Sequence, residues 1–109
     1  MRQVSEPPQT QDAKLVALAR GAMARAGTAD AAAVRDLDGR SYVGVPVDLA
    51  ALRLTGLQVA VAAAISSGAT GFEAVALVGG APEDDGLAAA RELTPEVVVI
   101  ETDRDGRPR

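Results

Sequence analysis

The segment Asp38-Gly39-Arg40-Ser41-Tyr42-Val43-Gly44-Val45-Pro46-Val47-Asp48 decides the fold, because two kinds of hydrophobic periodicity meet there. Before it lies the short apolar run Ala31 to Leu37, and within it Arg40 to Val47 forms a second run. An Asp-Gly pair between two extended runs predicts a type I′ hairpin, whose central residues both need positive φ. After it, from Asp48 to Ser67, apolar residues recur at helical spacing: Leu49, Leu52, Leu57, Val59, Ala60, Val61, Ala63, Ala64 and Ile65. A helix with so little polar surface belongs inside a layered domain, buried on most of its sides.

Working outward, Leu15, Leu18, Ala19, Ala22, Met23 and Ala26 make one stripe of an earlier helix that Asp12 would cap and Gly27 would end. Residues 1–11 carry Pro7 and Pro8 with little to bury and read as a disordered leader. Downstream, Gly68 and Gly71 stop the central helix and Phe72 to Val78 reads as a buried strand. A short helix from Leu87 to Leu93 follows the acidic Glu83-Asp84-Asp85. Glu96-Val97-Val98-Val99-Ile100 then has the continuous apolar character of a strand in a sheet interior. The order α-β-β-α-β-α-β predicts a three-layer α-β-α domain with a mixed sheet over residues 12–101. Residues 102–109 form a charged, flexible tail that starts another Asp-Gly turn.

Composition narrows the function. The 109 residues suit one domain. Tyr42 and Phe72 are the aromatic residues and 23 residues are alanine, so the core is built from Val, Leu, Ile and Ala. With no Cys and no His, the chain supplies no thiolate or imidazole as base, nucleophile or metal ligand. The net charge of −4 disfavours a broad nucleic-acid surface. No apolar run reaches the roughly 18 residues that span a bilayer, and no secretion signal opens the chain, so a soluble, cytoplasmic protein is expected.

The Asp38–Asp48 segment, Ala64-Ile65-Ser66-Ser67-Gly68 with Phe72 to Ala76, and Pro82-x-x-x-Gly86 with Arg91-Glu92-Leu93 together resemble, in order, three segments of the cytidine deaminase family. The resemblance implies that family's α-β-α fold. It does not carry the family's chemistry, in which a His or Cys, a nearby Glu and a later Pro-Cys-x-x-Cys hold zinc and shuttle protons. In the family's spacing, Thr55 stands at the His/Cys position and Leu57 at the catalytic Glu. Glu83 and Gly86 stand at the two cysteines, and Pro46 and Asp48 at the ribose-binding Asn and Glu. The family's Pro-Tyr-Ser near the end of the first helix is replaced by Ala26-Gly27-Thr28. Thr, Glu and Gly do not make a zinc site, and leucine moves no proton.

Each remaining polar feature has a plainer reading beside the functional one. The acidic triplet suits a hard cation, but adjacent carboxylates point apart, and acids at a helix start offset the macrodipole and cap free N–H groups. Gly79-Gly80 could cradle a phosphate but lacks the P-loop Lys and sits beside acids. Asp48 is a ligand contact or an N-cap of the central helix. Thr55 and Gln58 line a remnant pocket, or Thr55 bonds back to a backbone carbonyl. The basic residues Arg104, Arg107 and Arg109 either touch RNA or are a solvated end.

The leading expectation is a catalytically inactive deaminase-like protein, without cofactor or metal, that serves as a homo-oligomeric (dimeric or tetrameric) binding or scaffold module. The apolar, alanine-rich central helix motivates the self-association, and an unidentified protein partner or a second subunit completing a site in trans stays open. The alternatives are an RNA- or ribosome-associated accessory factor, and an enzyme using Asp48 or the Glu83 cluster as general base in the old nucleoside pocket.

Overall fold

A computed structural model describes residues 8–109, so the expected leader lies largely outside the described residues. Helix α1 runs Pro8–Ala26, strand β1 Ala31–Asp36 and strand β2 Ser41–Gly44. The two-residue strands β3 Val47–Asp48 and β4 Arg53–Leu54 follow, then α2 Gly56–Ser66, β5 Phe72–Val78, α3 Asp85–Leu93 and β6 Val98–Thr102. The main sheet has the order β2-β1-β5-β6, antiparallel except for the parallel β5–β6 pair. A separate hairpin pairs β3 with β4. This is the expected mixed-sheet, three-layer domain, with the small hairpin added.

Side-chain alternation divides the core into two layers. Ala31, Ala33, Ala74, Ala76 and Val78 face α1 and meet Leu15, Val16, Ala19 and Met23. Methyl-sized sheet residues let that helix lie close. Ala32, Val34, Val75 and Leu77 face the other way, against Leu57, Ala60, Val61 and Ala64 of α2 and Leu87 and Ala90 of α3. At Gly44 a Cβ would stand 2.1 Å from the Gly56 carbonyl oxygen and 2.7 Å from the Ala60 nitrogen, so α2 begins with its backbone directly on β2.

Several boundaries differ from the sequence reading. α1 begins at Pro8, a favoured first helical residue, and Asp12 is no cap: it pairs with Arg35 at 3.3 Å. The helix buries Val16, whereas Leu18 of the expected stripe is 45% exposed. The central helix starts at Gly56, eight residues after Asp48. Thr55-Gly56-Leu57-Gln58 forms a capping box there, and the preceding stretch spends its hydrogen bonds on the β3–β4 hairpin. Leu49 and Leu52 consequently sit in an exposed turn. α2 is buried along one face only, leaving Ala62 and Ile65 at the surface. β6 is an edge strand and not a sheet interior, with Val98 54% exposed.

The Asp-Gly turn also differs. No residue other than glycine has positive φ among the described residues, so Asp38 cannot be part of a type I′ turn. Gly39 N donates to Asp36 O at 3.1 Å, Asp36 N donates to Arg40 O at 2.8 Å, and Gly39 has φ 84°. This is a type I turn closed by a glycine bulge. Asp103-Arg104-Asp105-Gly106-Arg107 repeats it: Gly106 N donates to Asp103 O at 3.0 Å, Asp103 N to Arg107 O at 2.9 Å, and Gly106 also has φ 84°. The tail thus turns back and bridges Pro108 to Thr102, where a flexible end was expected.

Candidate functional site

Beyond the carboxyl end of β5, a cleft of about 580 Å³ opens where α2 and α3 begin. Asp48, Thr55, Gln58 and Glu83, singled out in the sequence, all line it, together with Pro46. Asp30 and Arg53, which the sequence did not single out, and Asp84 and Asp85 of the acidic triplet complete its polar wall. The middle position of the acidic triplet just before a helix was a visible capping signal for Asp84. Asp30 had none, since only the tertiary fold brings the start of β1 beside α3.

The floor of the cleft is a hydrogen-bonded clasp between two helix starts. Thr55 Oγ1 accepts from Gln58 N at 3.1 Å and donates to Asp84 Oδ1 at 2.6 Å, while Gln58 Oε1 accepts from Thr55 N at 2.9 Å. Asp84 Oδ1 also accepts from Gly86 N at 2.7 Å, capping α3. The Thr55 hydroxyl therefore bonds forward to its own helix and across to α3, not back to a carbonyl. Capping is what the acidic triplet does, through its central member.

Asp48 does not cap α2. Its carboxylate is exposed at the rim and meets Arg53 at 3.3 Å across the β3–β4 hairpin, a pair of little energetic weight in water. Burial, and then the nearby Asp84 charge, push the Asp30 carboxyl above its usual value. With Asp48, Glu83 and Asp85 also on the wall, the cleft repels anions, which disfavours a phosphate at Gly80 on its edge. That glycine's carbonyl instead accepts from Arg109.

Leu57 and Gly86 lie beneath the floor. Leu57 is fully buried, and a Cβ built on Gly86 would stand 2.7 Å from Leu57 Cγ and 2.8 Å from its Cβ. The leucine side chain fills the volume into which any side chain at position 86 would project. Among the described residues no group of three or more His, Cys, Asp or Glu side chains is arranged to hold a metal.

A mixed sheet between one helix and a pair of helices, with the cleft at the paired helix starts, defines the class: an α-β-α fold of the deaminase kind. The chain belongs to the cytidine deaminase-like family, whose model matches residues 8–106. No curated protein matches it.

Proposed function

We propose that this chain is a catalytically inactive cytidine deaminase-like protein, free of metal, that acts as a homo-oligomeric binding or scaffold module in the cytoplasm. The observation that carries the reading is the packing of Leu57 into Gly86. In the family's spacing these positions belong to the proton-shuttling Glu and a metal-binding Cys, and here one is hydrocarbon and the other has no side chain. The third position, Thr55, has its hydroxyl engaged by Gln58 and Asp84. The fourth, Glu83, lines the cleft beside Asp84 and Asp85, and among the described residues no group of three or more such side chains is arranged to hold a metal. These residues do not fit zinc, which takes a closed set of thiolate, imidazole or carboxylate ligands.

What persists is a small acidic cleft with hydrogen-bonding groups, suited to a neutral or cationic guest and unsuited to a phosphorylated one. No described helix is long and apolar enough to cross a membrane. Elemental analysis of the protein purified from zinc-supplemented cells, with an ammonia-release assay on cytidine, tests the reading. Substoichiometric zinc and no ammonia are expected; one zinc per chain, or measurable turnover, would overturn it.

A second reading, carboxylate-based chemistry in the same cleft, is favoured by the raised Asp30 and points away from the exposed Asp48. An activity that survived Asp48→Asn and disappeared in Asp30→Asn would establish it.

A further inference from the structure

Beside α1, on the sheet face opposite α2 and α3, a groove of about 630 Å³ separates the helix from the Asp103-to-Arg107 turn. Arg20, Gly21 and Ala24 line it from the helix, and Arg104 and Asp105 line it from the turn. The groove stands apart from both ends of the described chain. Pro8 precedes Arg20 by twelve residues, about 18 Å along α1, and Arg109 N donates to Glu101 O, which sends the tail back along β6.

Three guanidinium groups meet there. A Cβ at Gly106 would stand 3.1 Å from Arg20 Cδ, and one at Gly79 would stand 2.9 Å from Arg104 Cγ. Each of those arginine stems therefore lies against a glycine held at positive φ. Arg25 folds back along the helix, its Nη1 3.3 Å from where a Gly21 Cβ would be. No hydrogen bond or ion pair engages the side chains of Arg20, Arg25 or Arg104 among the described residues, whereas the guanidinium groups of Arg35, Arg53 and Arg109 all have partners. Like charges that converge without counter-ions repel one another, although the chain has fifteen acids to eleven bases. Three guanidinium charges against the Asp105 carboxylate leave two positive charges in the groove.

We propose that Arg20, Arg25 and Arg104 bind a phosphate group, as the free ion or as a monoester. A guanidinium fork donates paired hydrogen bonds to neighbouring oxygens of one anion. A carboxylate, with two oxygens and one charge, satisfies one fork. A phosphate monoester brings about two charges and three acceptor oxygens, which match both the spread of donors and the surplus charge. Gly21 keeps the helix side of the groove clear, since a side chain there would meet Arg25. The site lies across the sheet from the acidic cleft and stands or falls independently of what the cleft binds.

Titration of the isotope-labelled full chain with inorganic phosphate, a phosphoserine peptide and acetate, followed through its amide NMR signals, tests the site. Saturable shifts are expected at Gly21, Arg104 and Gly106, with half-saturation about tenfold lower for phosphate than for acetate. The tighter of the two phosphate probes identifies the source. Arg20→Ala and Arg104→Ala, on different elements, should each raise the half-saturation concentration by about tenfold. Arg20→Lys keeps the charge without the fork and should recover only part of that loss. Asp105→Asn should tighten binding by removing the opposing charge. Arg91→Ala makes the same change in net charge on α3, behind the sheet, and should leave binding unaltered. An equal response to acetate, shifts that do not saturate, or equal weakening by Arg91→Ala would overturn the site. So would a single-stranded RNA oligonucleotide that binds while neither phosphate probe does, since that would mark a surface for phosphodiesters.

Discussion

A methyl group added at Gly86 would lie 2.7 Å from Leu57 Cγ and 2.9 Å from Gln58 N, closer than such atoms approach without movement. Gly86→Ala should therefore destabilise the protein by about 1–3 kcal/mol, the usual penalty of overpacking a filled core. Leu57→Ala, which empties a fully buried site, should lower stability by about 2–5 kcal/mol. Because the two positions share one volume, the double variant should lose less than the sum of the two, measured by urea denaturation. Additive losses would show that the positions do not compete for space. The sequence displayed the Leu and the Gly separately, and the resemblance placed them at two lost chemical positions. That each occupies the other's space is a contact across distant segments.

At the level of elements, the clasp between α2 and α3 depends on a hydroxyl. Thr55→Ala removes the cap of α2 and the bond to Asp84 together and should cost about 0.5–2 kcal/mol, while Thr55→Ser should retain most of it. The two Asp-x-Asp-Gly-Arg turns make a second prediction, in acid. Burial works to raise the Asp36 carboxyl, but hydrogen bonds from Arg40 N, Asp38 N and the Tyr42 hydroxyl, with the Arg40 charge, hold it below its usual value. Asp103 is likewise lowered, first by the hydrogen bond from Arg107 N. A carboxyl depressed in the folded state contributes stability that is fully present above the unfolded value of about 3.9 and is lost as pH falls through the folded value. Asp36→Asn should therefore flatten the acid limb of the stability profile. The hairpin itself was legible from Asp38-Gly39, but its type was not. The deciding acceptor, Asp36, sits outside the pair of residues that signals the turn. The start of α2 was legible in the Thr55-to-Gln58 capping box, yet the longer apolar periodicity from Leu49 onward obscured it.

Across the whole molecule, the cleft concentrates negative charge and stores a small instability. The folded-state value of Asp30 is raised by burial and by Asp84, so its ionised form is disfavoured in the fold. The sign is opposite to that of Asp36: Asp30's contribution is most favourable below the unfolded value and is lost as pH rises through the folded one. Asp30→Asn should make the protein more stable at neutral pH, with the gain shrinking towards acid, as followed by thermal melts across pH. An equal or larger gain in acid would exclude the electrostatic cause. This fold-level arrangement of acids also argues against a phosphorylated guest, independently of the arginines at positions 104, 107 and 109.

The sequence by itself determined the order of the main elements, the mixed sheet and the absence of imidazole and thiolate, because local periodicity, turn residues and composition are properties of neighbours along the chain. It located β5 at Phe72–Val78 with both ends correct, since Gly71 and Gly79 bound a run that is apolar but for the exposed Glu73. Only the tertiary structure decided which apolar residues were covered. Leu49, Leu52 and Val98 carry the same signal as Leu57 and Val75, but a turn and a sheet edge leave the first three in solvent. Burial depends on what another segment brings to the same face. For the same reason the cleft was half visible: Thr55, Gln58 and Glu83 lie at helix starts that local signals mark, whereas Asp30 joins them only because the sheet sets β1 beside β5.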